Sequence, residues 1–218
     1  MGHWDSHAQP VAGDSFRIAN TSGNFPPPEK GKCLGMSSYA KWFYENRAGS
    51  SGPLFPHFTD SQQIQIARQA QNDCGQVLAG FTTLALPRSG YQVAEDLIAK
   101  LDTENNPQIL CMTKTPMLPS WTGSFLLNLI MMAFWGDAHA VLVVGYDESG
   151  TSGTFKIYNN WDCSDLSYSS LTYSQSYLHD FVDPNYPSDS AGYVDFQNYA
   201  SSYFYNSTTF TSANYPAP

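Results

Sequence analysis

The sequence has little charge of either sign, and most of what it has is negative. Charged residues make up 13% of the 218 residues, and 10 Lys and Arg against 19 Asp and Glu give a formal net charge of −9. Proteins that bind nucleic acid or anionic membranes need clustered basic residues, whereas the Lys and Arg residues here are scattered. We therefore expect no nucleic-acid partner.

The chain also lacks the cysteine spacing of a disulfide framework or a zinc site. None of its four cysteines forms a CxxC pair, and its five histidines are dispersed along the sequence. A zinc site needs clustered Cys and His ligands, and a chain this long with so few cysteines does not fit a disulfide scaffold. We expect no bound metal, no cofactor and free thiols at Cys33, Cys74, Cys111 and Cys163.

No long hydrophobic run is present. The most apolar stretch, "FLLNLIMMAFW" at 125–135, would span about 16 Å as a helix, roughly half of a bilayer core, so we expect a buried segment and no membrane insertion. The N-terminus does not show the basic region followed by an apolar region that is typical of a signal peptide. A mature domain cut from a longer secreted precursor fits the sequence equally well, so localisation stays open, with secretion slightly favoured. The oligomeric state is equally open.

The pattern of apolar residues predicts one α+β domain over 1–218, mainly helical over 1–105 and mainly β over 106–218. The expected helices are Cys33 to Arg47, a second from Thr59 or Asp60 to a stop at Gly75, and a third over 91–104. The segment 75–87 fits either a helix or a strand. The expected strands are 107–114, 139–147 and 154–161, with short β pieces near 168–173, 192–196 and 203–210.

Cys33 lies where an irregular, proline-rich segment gives way to the first amphipathic helix, in "GKCLGMSSYAKW". Two interpretations are open at this point: a buried apolar cysteine that begins a helix, or a thiolate held ready for attack. A helix N-terminus favours the second, because unpaired N–H groups and the helix dipole stabilise an anion there. Gly35 would let a substrate approach the backbone closely.

A base and an orienting group for this thiol can be found in the second half of the chain. His139 begins the apolar strand "HAVLVVGYD", and Asn159 ends the following strand, "TFKIYNN". An antiparallel hairpin folds Asn159 back beside His139, where its carbonyl oxygen can accept a hydrogen bond from one imidazole nitrogen. Trp161 could shield that bond from water. Asn160 and Asp162 are alternative orienting residues.

These segments resemble the papain-like cysteine peptidase superfamily, which includes bacterial C39-like peptidases. "HAVLVVGYD" and "FKIYNNW" are similar to its His strand and its Asn-x-Trp strand, and "GKCLGMSSYAKW" resembles its nucleophile helix, with Leu34 where the papain family proper has Trp. The resemblance covers about 35 residues in the expected order. It implies a helical lobe that carries the nucleophile and an antiparallel sheet lobe that carries His and Asn.

Transferred to this chain, the resemblance implies that Cys33 is the nucleophile, His139 the general base and acid, and Asn159 the orienting residue. The family places an oxyanion-hole Gln six residues before the Cys, where Pro27 stands here. Asn24 is the nearest upstream amide and is our candidate donor, together with the Cys33 N–H. The implied activity is hydrolysis of peptide or protein substrates. The alternatives are an amidase or acyltransferase with the same triad, of transglutaminase-like or peptidoglycan-cleaving type, and an inactive papain-like binding domain.

Overall fold

The computed structural model describes residues 3–5, 13–20, 32–47, 49, 52–81, 90–113, 138–160, 168–174 and 195–197. The helices of this part are α1 (Cys33–Asn46), α2 (Asp60–Phe81) and α3 (Gly90–Glu104). The strands are β1 (His3–Asp5), β2 (Gln108–Thr113), β3 (Ala138–Ser149), β4 (Ser152–Tyr158), β5 (Ser169–Ser174) and β6 (Asp195–Gln197). The expected strand at 203–210 lies outside the described residues.

The strands form one antiparallel sheet around the long central strand β3. Four of them lie in the order β5-β4-β3-β2, and the three-residue strand β6 extends the sheet beyond β2. The other short strand, β1, pairs with β3 opposite residues 145–147, just beyond the stretch that pairs with β2. Among the described elements, apart from β1, helices come first and strands follow, so the protein is an α+β protein, as the sequence predicts.

Helices cover both faces of this sheet. Leu142, Val144 and Tyr158 belong to the core beneath α1, and Val141 and Val143 belong to the core beneath α3. This division follows from the strand geometry, because successive side chains of a strand point to opposite faces. The near-continuous apolar sequence of β3 is thereby explained, since both of its faces are buried. The second helix, α2, packs on α1 and belongs to the same core as α1.

Several boundaries follow the expected patterns. The first helix begins at Cys33, and β3 and β4 form the expected hairpin, with Leu142 opposite Tyr158. Thr59 caps α2, since its Oγ1 accepts the Gln62 N–H at 3.4 Å while Gln62 Oε1 accepts the Thr59 N–H at 2.9 Å.

The expected end of the second helix at Gly75 is wrong. The helix α2 continues to Phe81 and includes the first part of the segment that the sequence left open between helix and strand. Each glycine inside a helix costs only about 1 kcal/mol relative to alanine, and α2 contains two, Gly75 and Gly80. Leu78 and Ala79, which lie between them, are good helix formers and favour continuation.

The helix α1 carries a buried lysine that joins it to the start of β2. The Lys41 Nζ lies 2.7 Å from Glu45 Oε1 and donates to the Pro107 carbonyl at 2.5 Å. Burial lowers the pKa of Lys41, while the Glu45 carboxylate raises it. The carboxylate and the carbonyl oxygen thus offset the cost of removing the ammonium group from water, which explains how a lysine can be buried on this helix.

Gly35 allows α1 and α2 to approach each other closely. A Cβ at this position would lie 2.7 Å from the Ala67 carbonyl oxygen and would also overlap the backbone of Gln71. In addition, the Gln71 Oε1 accepts the Gly35 N–H at 2.8 Å, which satisfies one of the unpaired donors of the first turn of α1. The expectation that Gly35 clears a path for substrate is therefore wrong, because α2 occupies that space.

None of the helices in the described part of the chain combines the length and the apolar character needed to cross a membrane.

We predict that Gly35→Ala lowers the free energy of unfolding by about 1–3 kcal/mol or more, because the added methyl group must push α2 away. Urea denaturation followed by circular dichroism measures the change. Gly49→Ala is the control, since a Cβ at Gly49 would meet nothing within 4 Å. Equal stability of the two variants would contradict the close approach of α1 and α2.

Candidate active site

Cys33 is the first residue of α1 and has a free, buried thiol. Its residue is 7% exposed, and it packs in the core between α1 and the sheet. The Lys32 carbonyl accepts the Met36 N–H at 2.9 Å, so the helical hydrogen bonds begin immediately before the cysteine. The expected position of Cys33 at a helix N-terminus is confirmed.

Two opposing effects act on the thiol. Burial raises the pKa of Cys33, whereas hydrogen bonds from the backbone of Ala140, Leu34 and Cys33 itself lower it. Burial is the larger effect, because a thiolate loses its hydration in a low-dielectric site. Ala140 belongs to the start of β3, so the backbone of both α1 and β3 contributes to this lowering.

His139 immediately precedes Ala140 in β3, and its backbone pairs with Met112 of β2. The backbone of the expected general base therefore lies one residue from a group that contacts the Cys33 thiol. The side chain of His139 lies outside the described residues, as do Asn24, Trp161 and Asp162. The assignments of His139 as base, of Asn24 as oxyanion donor and of Trp161 as shield stay predictions.

The asparagine that reaches Cys33 is Asn160, which the sequence offered only as an alternative orienting residue. It is 2% exposed, and its Nδ2 lies 3.0 Å from the Cys33 carbonyl oxygen and 3.1 Å from the Ala140 carbonyl oxygen. The same nitrogen lies 2.7 Å from Ser37 Oγ, which in turn donates to the Ala140 carbonyl at 3.2 Å. This amide joins the first residue of α1 to the start of β3.

Asn159, the expected orienting residue, directly follows the last residue of β4 and is half-buried. The strand register explains why its neighbour contacts α1. Tyr158 lies opposite Leu142 on the face covered by α1, and Asn160 comes two residues later, opposite Ala140 by continuation of the same register. This alternation is the signal in the sequence that could have separated the roles of the two asparagines.

Asn20 adds a second link to this junction, and the sequence did not indicate it. Its side chain is buried, its backbone N–H donates to the Asn160 carbonyl at 3.0 Å, and its Oδ1 accepts the Lys32 N–H. The segment 13–20 is thereby tied both to the end of β4 and to the residue before Cys33. Each of these polar groups is buried, so the bonds have no competition from bulk water.

Chemically, the junction offers a buried thiol at a helix N-terminus, packed in one core with Ala140 of the strand that carries His139. Among the described residues, no three His, Cys, Asp or Glu side chains come together as metal ligands. The backbone groups that lower the pKa of Cys33 favour its thiolate, which is an anion.

Comparison with known proteins adds no relative: no protein-family model matches the chain, and no curated protein or solved structure matches it.

We predict that Asn20→Ala lowers the free energy of unfolding by about 1–3 kcal/mol, because the buried Lys32 N–H loses its acceptor. Asn20→Asp keeps an acceptor oxygen near the N-terminus of α1, where negative charge is favoured, and should lose less. Urea denaturation of the two variants measures the difference. The control is Asn72→Ala on the exposed side of α2. Equal losses for Ala and Asp at position 20 would contradict the acceptor role.

Proposed function

We propose that the protein is a cysteine hydrolase, most specifically a peptidase, with Cys33 as nucleophile. The observation that carries the proposal is the bridge made by Asn160, whose amide bonds the carbonyl groups of Cys33 and Ala140. Ala140 follows His139 directly, so this bridge keeps the helix start of the nucleophile beside the strand start of the base. The resemblance of the same segments to papain-like peptidases supports the assignment.

His139 is needed in this proposal because burial raises the pKa of the Cys33 thiol. A lone thiol in this position would stay protonated at neutral pH. Transfer of its proton to an imidazole produces a thiolate and imidazolium pair, in which each charge stabilises the other. The backbone groups of Leu34 and Ala140 then stabilise the thiolate further.

The reaction follows from these roles. Cys33 Sγ attacks the carbonyl carbon of the scissile bond, and His139 gives the thiol proton to the departing amine, which leaves a thioester. Water then attacks the thioester, and His139 accepts a proton from it and returns the proton to the departing Cys33 sulfur, which gives the carboxylic acid and regenerates the thiol. Asn159 orients the imidazole, Trp161 shields their hydrogen bond, and the Cys33 N–H with Asn24 binds the oxyanion. An amidase or acyltransferase would use the same steps, and capture of the thioester by an added amine instead of water distinguishes the transferase.

A second candidate is a papain-like binding domain without activity. The observation that favours it is the burial of Cys33, since most buried cysteines serve as small apolar residues. The two candidates differ in one measurable property. An active site holds a thiolate below pH 7, and a structural cysteine with a raised pKa does not.

We predict that iodoacetamide at pH 6 modifies Cys33 in preference to the other three cysteines, and that His139→Ala lowers this rate at least tenfold. The tenfold figure corresponds to a shift of about one unit in the thiol pKa. In His139→Ala the rate should rise about tenfold per pH unit through neutral pH, because the thiol then titrates alone. Mass spectrometry of the tryptic peptide 33–41 measures modification of Cys33 separately.

His57→Ala is the control, since His57 packs against Phe43 with ring centroids 5.7 Å apart and should not alter the modification rate at Cys33. Cleavage of a fluorogenic peptide library should be lost in Cys33→Ser. No preference for Cys33 at pH 6, together with equal rates in the wild type and His139→Ala, would refute the hydrolase and favour the binding domain.

A further inference from the structure

Asn160 is not part of the proposed triad, but its side chain bonds both Cys33 and Ala140, the residue after His139. We propose that Asn160 is a positioning residue that sets the reactivity of the Cys33 thiol by fixing the start of α1 against the start of β3. This inference rests on the proposed function and assigns a role at the same site. It concerns how the nucleophile and the base are held, because Asn160 bonds the backbone and not the reacting atoms.

The chemistry of the amide suits this role. An Asn side chain offers two hydrogens, and here they serve three acceptors: the carbonyl groups of Cys33 and Ala140 and the hydroxyl of Ser37. The Cys33 carbonyl also accepts a helical N–H, but a carbonyl oxygen has two lone pairs and can accept both bonds. The two carbonyl groups repel each other when they are brought together without a donor between them. Asn160 supplies that donor.

Burial makes the donor difficult to replace. Asn160, Ser37 and Ala140 are all buried, so water is not at hand to fill the place of a missing amide. Without Asn160, the hydroxyl of Ser37 remains as a bond between α1 and Ala140, since it donates to the Ala140 carbonyl. The Cys33 carbonyl then keeps only its helical bond, so Cys33 is held less firmly relative to residue 139.

Asn160 is itself held in place from the other side. Its backbone carbonyl oxygen accepts the backbone N–H of Asn20 at 3.0 Å. Asn20 Oδ1 in turn accepts the backbone N–H of Lys32, the residue directly before Cys33. Backbone and side chain of Asn160 are thus both tied to the residues around the nucleophile. Proton transfer from a thiol to an imidazole requires heavy atoms within hydrogen-bond reach, and displacement by 1 Å lowers the rate strongly.

The test compares Asn160→Ala with a matched buried amide. Gln108 is also fully buried, and its Nε2 donates to Glu104 Oε2 at 2.7 Å and to the Asn106 carbonyl at 3.3 Å, away from the junction. Gln108→Ala therefore removes a buried amide that bridges two acceptors, as Asn160→Ala does. Asn160→Leu is a second variant, because leucine has nearly the shape of the amide side chain but no hydrogen to donate.

For each folded variant, we measure the rate of Cys33 modification by iodoacetamide from pH 5 to pH 10, together with kcat and KM on a cleaved peptide. We expect Asn160→Ala and Asn160→Leu to lower the modification rate at pH 6 and kcat at least tenfold, with KM changed less than threefold. Gln108→Ala should leave the pH profile within twofold of the wild type, whatever its loss of stability. If Asn160→Ala does not fold, Asn160→Leu, which leaves no cavity, decides the test.

The outcomes separate this inference from the proposed function. If the pH profile changes in His139→Ala but not in the Asn160 variants, the positioning role alone is overturned. Equal changes in the Asn160 and Gln108 variants also overturn it, because they show a general effect of stability. If His139→Ala leaves the pH profile unchanged, both proposals are overturned, because there is then no reactive pair of Cys33 and His139 to position.

Discussion

The contact between the N-terminus of α1 and the start of β3 is the constraint on which the rest of the candidate site depends. A helix that packs on a sheet through apolar side chains alone has some freedom to slide along it. Here the Asn160 amide bonds the backbone of both elements, at Cys33 and at Ala140, and Ser37 adds a bond from α1 to the same strand. These directional bonds fix which residue of β3 lies beside the first residue of α1.

The same junction explains the electrostatic state of Cys33. Burial of the thiol between helix and sheet raises its pKa, and hydrogen bonds from the backbone lower the pKa. Neither effect alone makes a nucleophile, because the larger one favours the protonated thiol. A partner that takes the proton turns this site into a reactive one. Without such a partner, the same packing describes an inert core cysteine, so the candidate functions differ in the partner of the thiol.

The sequence predicted those features that depend on local patterns. The start of α1, the cap at Thr59 and the β3–β4 hairpin follow from apolar periodicity and from turn and capping residues close in sequence, and the α+β class follows from the order of elements. The predicted helix end at Gly75 was wrong because a glycine can end a helix but can also lie inside one at small cost. The prediction of substrate access at Gly35 was wrong for another reason. The space beside it is filled by α2, and a contact between residues so distant in sequence has no local signal.

The candidate site shows the same division. Cys33 and the strand of His139 could be located from the sequence, whereas the bonding of Asn160 and Asn20 could not. Which of two adjacent asparagines contacts α1 depends on strand register, since a shift of one residue exchanges the two faces. The role of Asn20 depends on where the segment 13–20 crosses the junction, and this depends on the hydrogen bonds that Arg17 of the segment makes with Gln63 and Phe58.

The most direct test of the account is the distance between the Cys33 sulfur and the nearer imidazole nitrogen of His139 in a crystal structure of the wild-type protein. The account predicts a separation of about 3–4 Å, within reach for proton transfer even in the absence of substrate. A separation beyond about 6 Å, with no mobile element between the two side chains, would contradict the assignment of these residues as nucleophile and base.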